Sequence, residues 1–233
     1  MNSYPEFYQQ MNFEAPKPDA SWHRSPTTWA FYLNANSKNR VDLENKKYFH
    51  IDGFPRQGSS TLREILFRLH PTMHLPDPLQ HNPEKTQTAI DKGYSVICTI
   101  RNPVDCITSF ASMNQGDHKD WSPQKLKQLL NVYYEYCLCI VENYNKIIVV
   151  DFNKTKKLYK DYITGNEKNN ETLKMISKKY SIEMSLIKSK KIKDLEIIPD
   201  STYSFEVKNQ LYTDSYFLNN IEKLIDIYKT IIR

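Results

Sequence analysis

The run Lys47-Tyr-Phe-His-Ile-Asp52 is an apolar segment of strand length, and it stops abruptly at Gly53-Phe54-Pro55, residues that break regular structure. Past the break, Leu62, Ile65, Leu66 and Leu69 recur at i, i+3, i+4 and i+7 until His70-Pro71 ends the pattern. A buried strand, a glycine loop and an amphipathic helix in immediate succession constrain the chain severely. The helix has to fold back over the strand, and its first-turn amides then face the loop.

The same alternation continues downstream. Tyr94–Ile100 is a β-branched run of strand length, followed by Arg101-Asn102-Pro103, where Asn102 can cap a helix with Pro103 at its first position. Ser122-Pro123 opens a long helix with apolar positions at Leu126, Leu129, Leu130, Tyr133, Cys137, Ile140, Val141 and Tyr144, expected to cover one face of a sheet. Lys146–Phe152 reads as a third buried strand. Asn166–Asn170 reads as a polar turn before a short helix carrying Leu173, Ile176 and Tyr180, and the segment from Tyr216 to Ile232 as a C-terminal amphipathic helix with Leu218, Ile221, Leu224, Ile225 and Tyr228. Strand alternating with helix predicts a three-layer α/β fold with a mostly parallel central sheet flanked by helices.

A chain of 233 residues with 39% hydrophobic residues supports one substantial core and is small for two, so 1–233 is read as a single domain, with 1–45 as an ordered extension packed on it. The net charge of +5 is modest and both signs are interspersed, which argues against a nucleic-acid binder and suits a small polyanionic ligand. Lys188–Lys193 is the nearest approach to a charge run and reads as solvated surface, with a basic edge near an anionic ligand as the alternative. No stretch approaches the ~20 apolar residues needed to span a bilayer, and the N-terminus carries no leader-like run; a cytoplasmic location is expected. Cys98, Cys106, Cys137 and Cys139 lack metal-type or CxxC spacing and are expected to be buried, reduced thiols.

Gly53 and Gly58 lie five residues apart between strand and helix, where backbone N–H groups can surround phosphate oxygens; an ordinary Gly/Pro-rich turn is the alternative. The loop departs from the nucleotide-hydrolase pattern G-x-x-x-x-G-K-[ST], whose lysine reaches the outer phosphates and whose next hydroxyl holds magnesium. Ser59 stands at the lysine position, and the basic residue is instead Arg56. ATP hydrolysis is therefore not expected.

The segment PRQGSSTLREIL, residues 55–66, resembles the 5′-phosphosulfate loop of the sulfotransferases that use 3′-phosphoadenosine 5′-phosphosulfate (PAPS), usual form P-[KR]-[ST]-G-[ST]-[ST], and its arginine is similar to that of the tyrosylprotein sulfotransferase-like branch. The resemblance further implies, at the end of a later strand, an arginine followed eight residues on by a serine, and Arg101 and Ser109 fit. It covers most of residues 47–155, and the C-terminal third only in its helix pattern. No R-K-G-x-x-G element is found, so the adenine contacts are not assigned.

The resemblance implies a P-loop-type sulfotransferase that moves the sulfuryl group of PAPS to a hydroxyl acceptor, without metal. Pro55, Arg56, Gln57, Gly58, Ser59, Ser60 and Thr61 would cradle the donor's 5′ end, and Arg101 and Ser109 its 3′-phosphate. Arg56, with its fixed fork of donors, would stabilise the leaving phosphate. For the general base, His81 is the first candidate, His74 the second and Asp77 a third, the histidines because an unperturbed pKa near 6.5 suits proton abstraction at neutral pH. A small-molecule or nucleotide kinase and a non-catalytic PAPS- or nucleotide-binding module are the competing readings.

Overall fold

The computed structural model describes residues 47–70, 73–75, 81–113, 123–182, 208–209 and 211–233. Four parallel strands form one sheet in the order β2-β1-β3-β4: β1 is Lys47–Asp52, β2 Met73–His74, β3 Ser95–Ile100 and β4 Ile148–Asp151. Parallel neighbours need crossover connections, and helices supply them: α1 (Ser59–Leu69), α2 (Pro83–Asp91), α3 (Pro103–Met113), α4 (Pro123–Glu142), α5 (Phe152–Ile163), α6 (Glu171–Tyr180) and α7 (Ser215–Ile232).

Side chains alternate across the strands, and the two faces carry separate cores. Phe49 and Ile51 of β1, Ile97 of β3 and Ile148 and Val150 of β4 pack with Leu62, Ile65 and Leu66 of α1, Leu158 and Tyr162 of α5, and Leu173 and Ile176 of α6. Val96, Cys98 and Ile100 of β3 point the other way, onto Ala89 of α2, Ile107 of α3, Leu129, Tyr133 and Tyr136 of α4, and Phe217, Ile221 and Leu224 of α7. The fold is thus a three-layer α/β sandwich. On β1 the second face bears His50 and Asp52, both buried, in place of apolar side chains.

The expected capping by Asn102 is present: its Oδ1 accepts from the N–H of Val104 at 3.0 Å, with Pro103 as the first helical residue. All four cysteines are buried and free. Several boundaries differ from the sequence reading. The third strand begins at Ile148 and ends at Asp151, and Phe152 opens α5 directly, because the Asp151 carboxylate caps the helix by accepting from the N–H of Asn153 at 2.9 Å. Helix α4 stops at Glu142, leaving Tyr144 51% exposed beyond its end, and Leu218 lies on the outer face of α7. Helix α2 and strand β2 are elements that the sequence reading did not anticipate. Residues 1–46, Asp77 and Lys188–Lys193 lie outside the described residues. Among those described, no helix is long and apolar enough to cross a membrane.

Candidate functional site

The loop between β1 and α1 sits at the carboxyl end of the central strands, the end at which open α/β sheets bind ligands. Gly53 leaves β1 hard against β3: a Cβ there would lie 2.5 Å from Thr99 Oγ1, 2.7 Å from the Thr99 carbonyl oxygen and 2.8 Å from Gln57 Oε1. Only glycine allows that approach. Phe54 is fully buried and meets Tyr133 and Phe110 edge-on, at 5.5 and 6.3 Å between ring centroids, which pins the loop to the α4 layer. Pro55 follows, partly buried. Gly58 closes the loop at φ +86° as the N-cap of α1, its carbonyl accepting from Leu62 N–H at 3.0 Å. Gly58 has no side chain to cap the first-turn amides of α1, and the turn holds no acidic residue. Ser59, Ser60 and Thr61 therefore start a helix whose positive end lacks a built-in anion. Gln57 is 2% exposed, with a buried Oε1 that has no hydrogen-bond partner.

Two arginines converge on this loop. Arg56 has left-handed backbone, φ +71°, and its Nε donates to Ser109 Oγ of α3 at 3.1 Å. Arg101, just past β3, donates through Nη1 to the Arg56 carbonyl at 3.2 Å and stacks on the Phe152 ring with Cζ 4.2 Å from the centroid. Its Nε is buried without a partner. Burial, and after it the positive field of Arg101, push the Arg56 pKa down. Among the described residues no carboxylate pairs with either guanidinium. Two adjacent arginines beside a helix N-terminus are an arrangement that can hold a multiply charged anion. The three residues singled out from separate segments, Arg56, Arg101 and Ser109, are here brought into contact. The resemblance separates Arg56 at the 5′ end of the donor from Ser109 at the 3′ end; in the structure the two side chains bond each other directly.

Behind the loop lies a carboxylate that the sequence reading passed over. Asp52 is fully buried; its Oδ1 accepts from His81 N–H at 3.2 Å, and its Oδ2 from Asn82 N–H at 3.4 Å and from the Tyr136 hydroxyl at 3.2 Å. His81 Nδ1 lies 3.5 Å from Oδ1, and His50 Nε2 lies 3.8 Å from Oδ2 and 3.1 Å from Thr86 Oγ1. The signal was legible as two ionisable residues spaced by two on one face of an otherwise apolar strand. Tyr133 plays the matching part under β3, donating to the Arg101 carbonyl at 2.7 Å, so α4 supports both strand ends.

The candidate bases separate. His81 has left-handed backbone, φ +50°, and its Nδ1 lies 2.6 Å from the carbonyl oxygen of Gly53, the first residue of the loop. Its side chain is 30% exposed. His74 belongs to β2 and pairs in register with Tyr48, at the opposite end of β1. With ~3.3 Å per strand residue, that places its backbone roughly 15 Å upstream of the loop. Among the described residues there is no cluster of three or more His, Cys, Asp or Glu suited to a metal ion. No family model, curated protein or solved structure matches this chain.

Proposed function

We propose that the chain is a sulfotransferase that takes the sulfuryl group from PAPS and passes it to a hydroxyl acceptor. The observation that carries this reading is the convergence of Arg56, Arg101 and Ser109 on the N-terminus of α1, with no carboxylate among the described residues paired to either arginine. A donor bearing phosphates at its 3′ and 5′ positions matches two cations better than one. Ser59 at the position where nucleotide hydrolases carry lysine favours an outer group other than a magnesium-bound γ-phosphate.

In this reading the acceptor oxygen bonds to sulfur as the sulfur–oxygen bond to the 5′-phosphate breaks, and the electron pair leaves on the phosphate oxygen. Arg56 and the first-turn amides of α1 meet the charge that grows there. His81 Nε2 takes the acceptor's proton, and His74, placed at the other end of β1, is set aside as the base.

The test has two arms. Adenosine 3′,5′-bisphosphate is expected to bind in the presence of a magnesium chelator, measured by calorimetry, whereas a kinase site would require the metal. Labelled sulfate is then expected to move from PAPS to at least one of a phenol, a primary alcohol, a sugar and a tyrosyl peptide. Binding without any transfer would leave a donor-binding module, and absence of binding would refute the reading.

A further inference from the structure

The contacts around Asp52 specify more than a buried ion. A carboxylate at the end of a central strand is costly to bury, and among the described residues this one is compensated by two backbone amides and a tyrosine hydroxyl rather than by a lysine or arginine. Both amides belong to the segment that carries His81. Left-handed backbone at a non-glycine residue is disfavoured, and it persists where surrounding contacts over-determine it. At His81 those contacts are its N–H to Asp52 and its ring Nδ1 to the Gly53 carbonyl.

A carbonyl oxygen only accepts, so Nδ1, 2.6 Å from one, bonds it only while it carries the proton. The second ring nitrogen, Nε2, is then the one with the free lone pair. The Asp52 carboxylate 3.5 Å from Nδ1 acts in the same sense, favouring N–H over a lone pair at that position. The other ionisable groups facing Asp52 are His50 on the same strand, Tyr136 and Cys139 from α4, and Cys98 from β3. Burial holds the Tyr136 hydroxyl and the Cys98 thiol neutral and pushes Cys139 up to about 11, so none of these three adds a competing negative charge at neutral pH.

We infer that Asp52 is the positioning residue of His81: it holds the histidine in left-handed backbone and in the Nδ1–H tautomer, leaving Nε2 as the basic nitrogen. The inference rests on His81 serving as the base proposed above. It assigns the arrangement a purpose. The proton taken from the acceptor hydroxyl goes to Nε2, and the imidazolium formed is held against a buried negative charge. Asn in place of Asp52 cannot reproduce this. Its amide has one accepting oxygen and one donating nitrogen, so either the His81 or the Asn82 amide would face a donor, and an NH₂ beside Nδ1 would favour a lone pair there.

The experiment is nitrogen-15 NMR of the full chain labelled at histidine, at a pH where the rings are neutral, with the His81 signals identified by their loss in His81→Asn. The expected pattern is Nδ1 at a proton-bearing shift and Nε2 at a lone-pair shift. In Asp52→Asn the two are expected to move toward each other as the Nε2–H tautomer becomes populated. An Nε2–H tautomer in the native chain overturns the inference, and so does a native-like His81 signature in folded Asp52→Asn. If the variant fails to fold, the native tautomer still decides. Failure of the native chain to bind the bisphosphate would instead count against the donor reading, which the ring shifts do not depend on.

Discussion

Arg101 illustrates how little a side chain's own geometry reveals until its partners are counted. One Nη donates to the Arg56 carbonyl, the guanidinium plane lies on Phe152, and Nε is buried with nothing to bond. A group so placed is poised for one more acceptor, and a charge-assisted bond of that kind contributes about 1.5–3 kcal/mol. Arg101→Ala should therefore weaken adenosine 3′,5′-bisphosphate binding by roughly 10- to 100-fold in calorimetry; unchanged affinity would remove Arg101 from the site. Arg56 is expected to behave differently. Its Nε is engaged with Ser109, and in the proposed reaction its remaining donors would meet charge that grows only as the sulfur–oxygen bond breaks. Arg56→Ala should reduce turnover of PAPS at least tenfold more than it reduces bisphosphate affinity, a split that equal losses would contradict.

Among the elements, α6 shows best what a single polar residue can hold. Asn170 is 1% exposed; its Oδ1 accepts from the N–H groups of Thr172 and Leu173 at 2.9 and 3.4 Å, and its Nδ2 donates to Asp161 Oδ2 at 2.6 Å. It caps one helix and ties it to the end of α5. Asn170→Ala should cost about 1–3 kcal/mol in urea unfolding, and Asn170→Ser, which keeps a capping oxygen, should recover part of that loss. Equal stability of the two variants would mean that the cap contributes nothing. The helices legible from their periodicity, α1, α4, α6 and α7, bury stripes of large apolar residues, and α3 was announced by its Asn102-Pro103 cap. The two passed over, α2 and α5, were silent for different reasons. Helix α2 buries Thr86 and Ala89 alone, so its periodicity is silent and its only announcement is the Asn82-Pro83 cap. Helix α5 follows β4 without a loop because Asp151 is both the last strand residue and the cap, and chains whose elements share a residue give no turn signal. The site divides in the same way: Gly53, Arg56, Gly58 and Arg101 stand out in the loops after strands, whereas Asp52, the last residue of an apolar run, acquires its meaning from His81 and Tyr136, residues distant in the sequence.

At the scale of the whole molecule, one layer carries an unusual load of weak acids. Cys98, Cys106 and Cys137 sit fully buried with Tyr133 and Tyr136 between β3 and α4, and burial raises the pKa of every one of them. Cys139, less deeply placed, is pushed up to about 11. Tyr228 on α7 is raised as well, first by burial and then by donating to Asp151 Oδ2 at 2.7 Å. These groups keep their protons in the folded chain to a higher pH than in the unfolded chain. The consequence has a definite sign. Below the unfolded value, near 9.0 for the thiols, both states are neutral and stability is independent of these groups. Above it the unfolded chain loses protons that the folded chain retains, so stability falls as pH rises, by up to about 1.4 kcal/mol per pH unit for each thiol. Urea unfolding under reducing conditions should therefore show stability flat with respect to these groups up to about pH 8.5 and falling steeply between 9 and 10.5. The decline is expected to be shallower in Cys106→Ala, which removes one such proton at some cost to the baseline, because the slope reports proton count while the offset reports packing. A slope unchanged by that substitution would show that the buried thiols do not govern the alkaline limit of this fold.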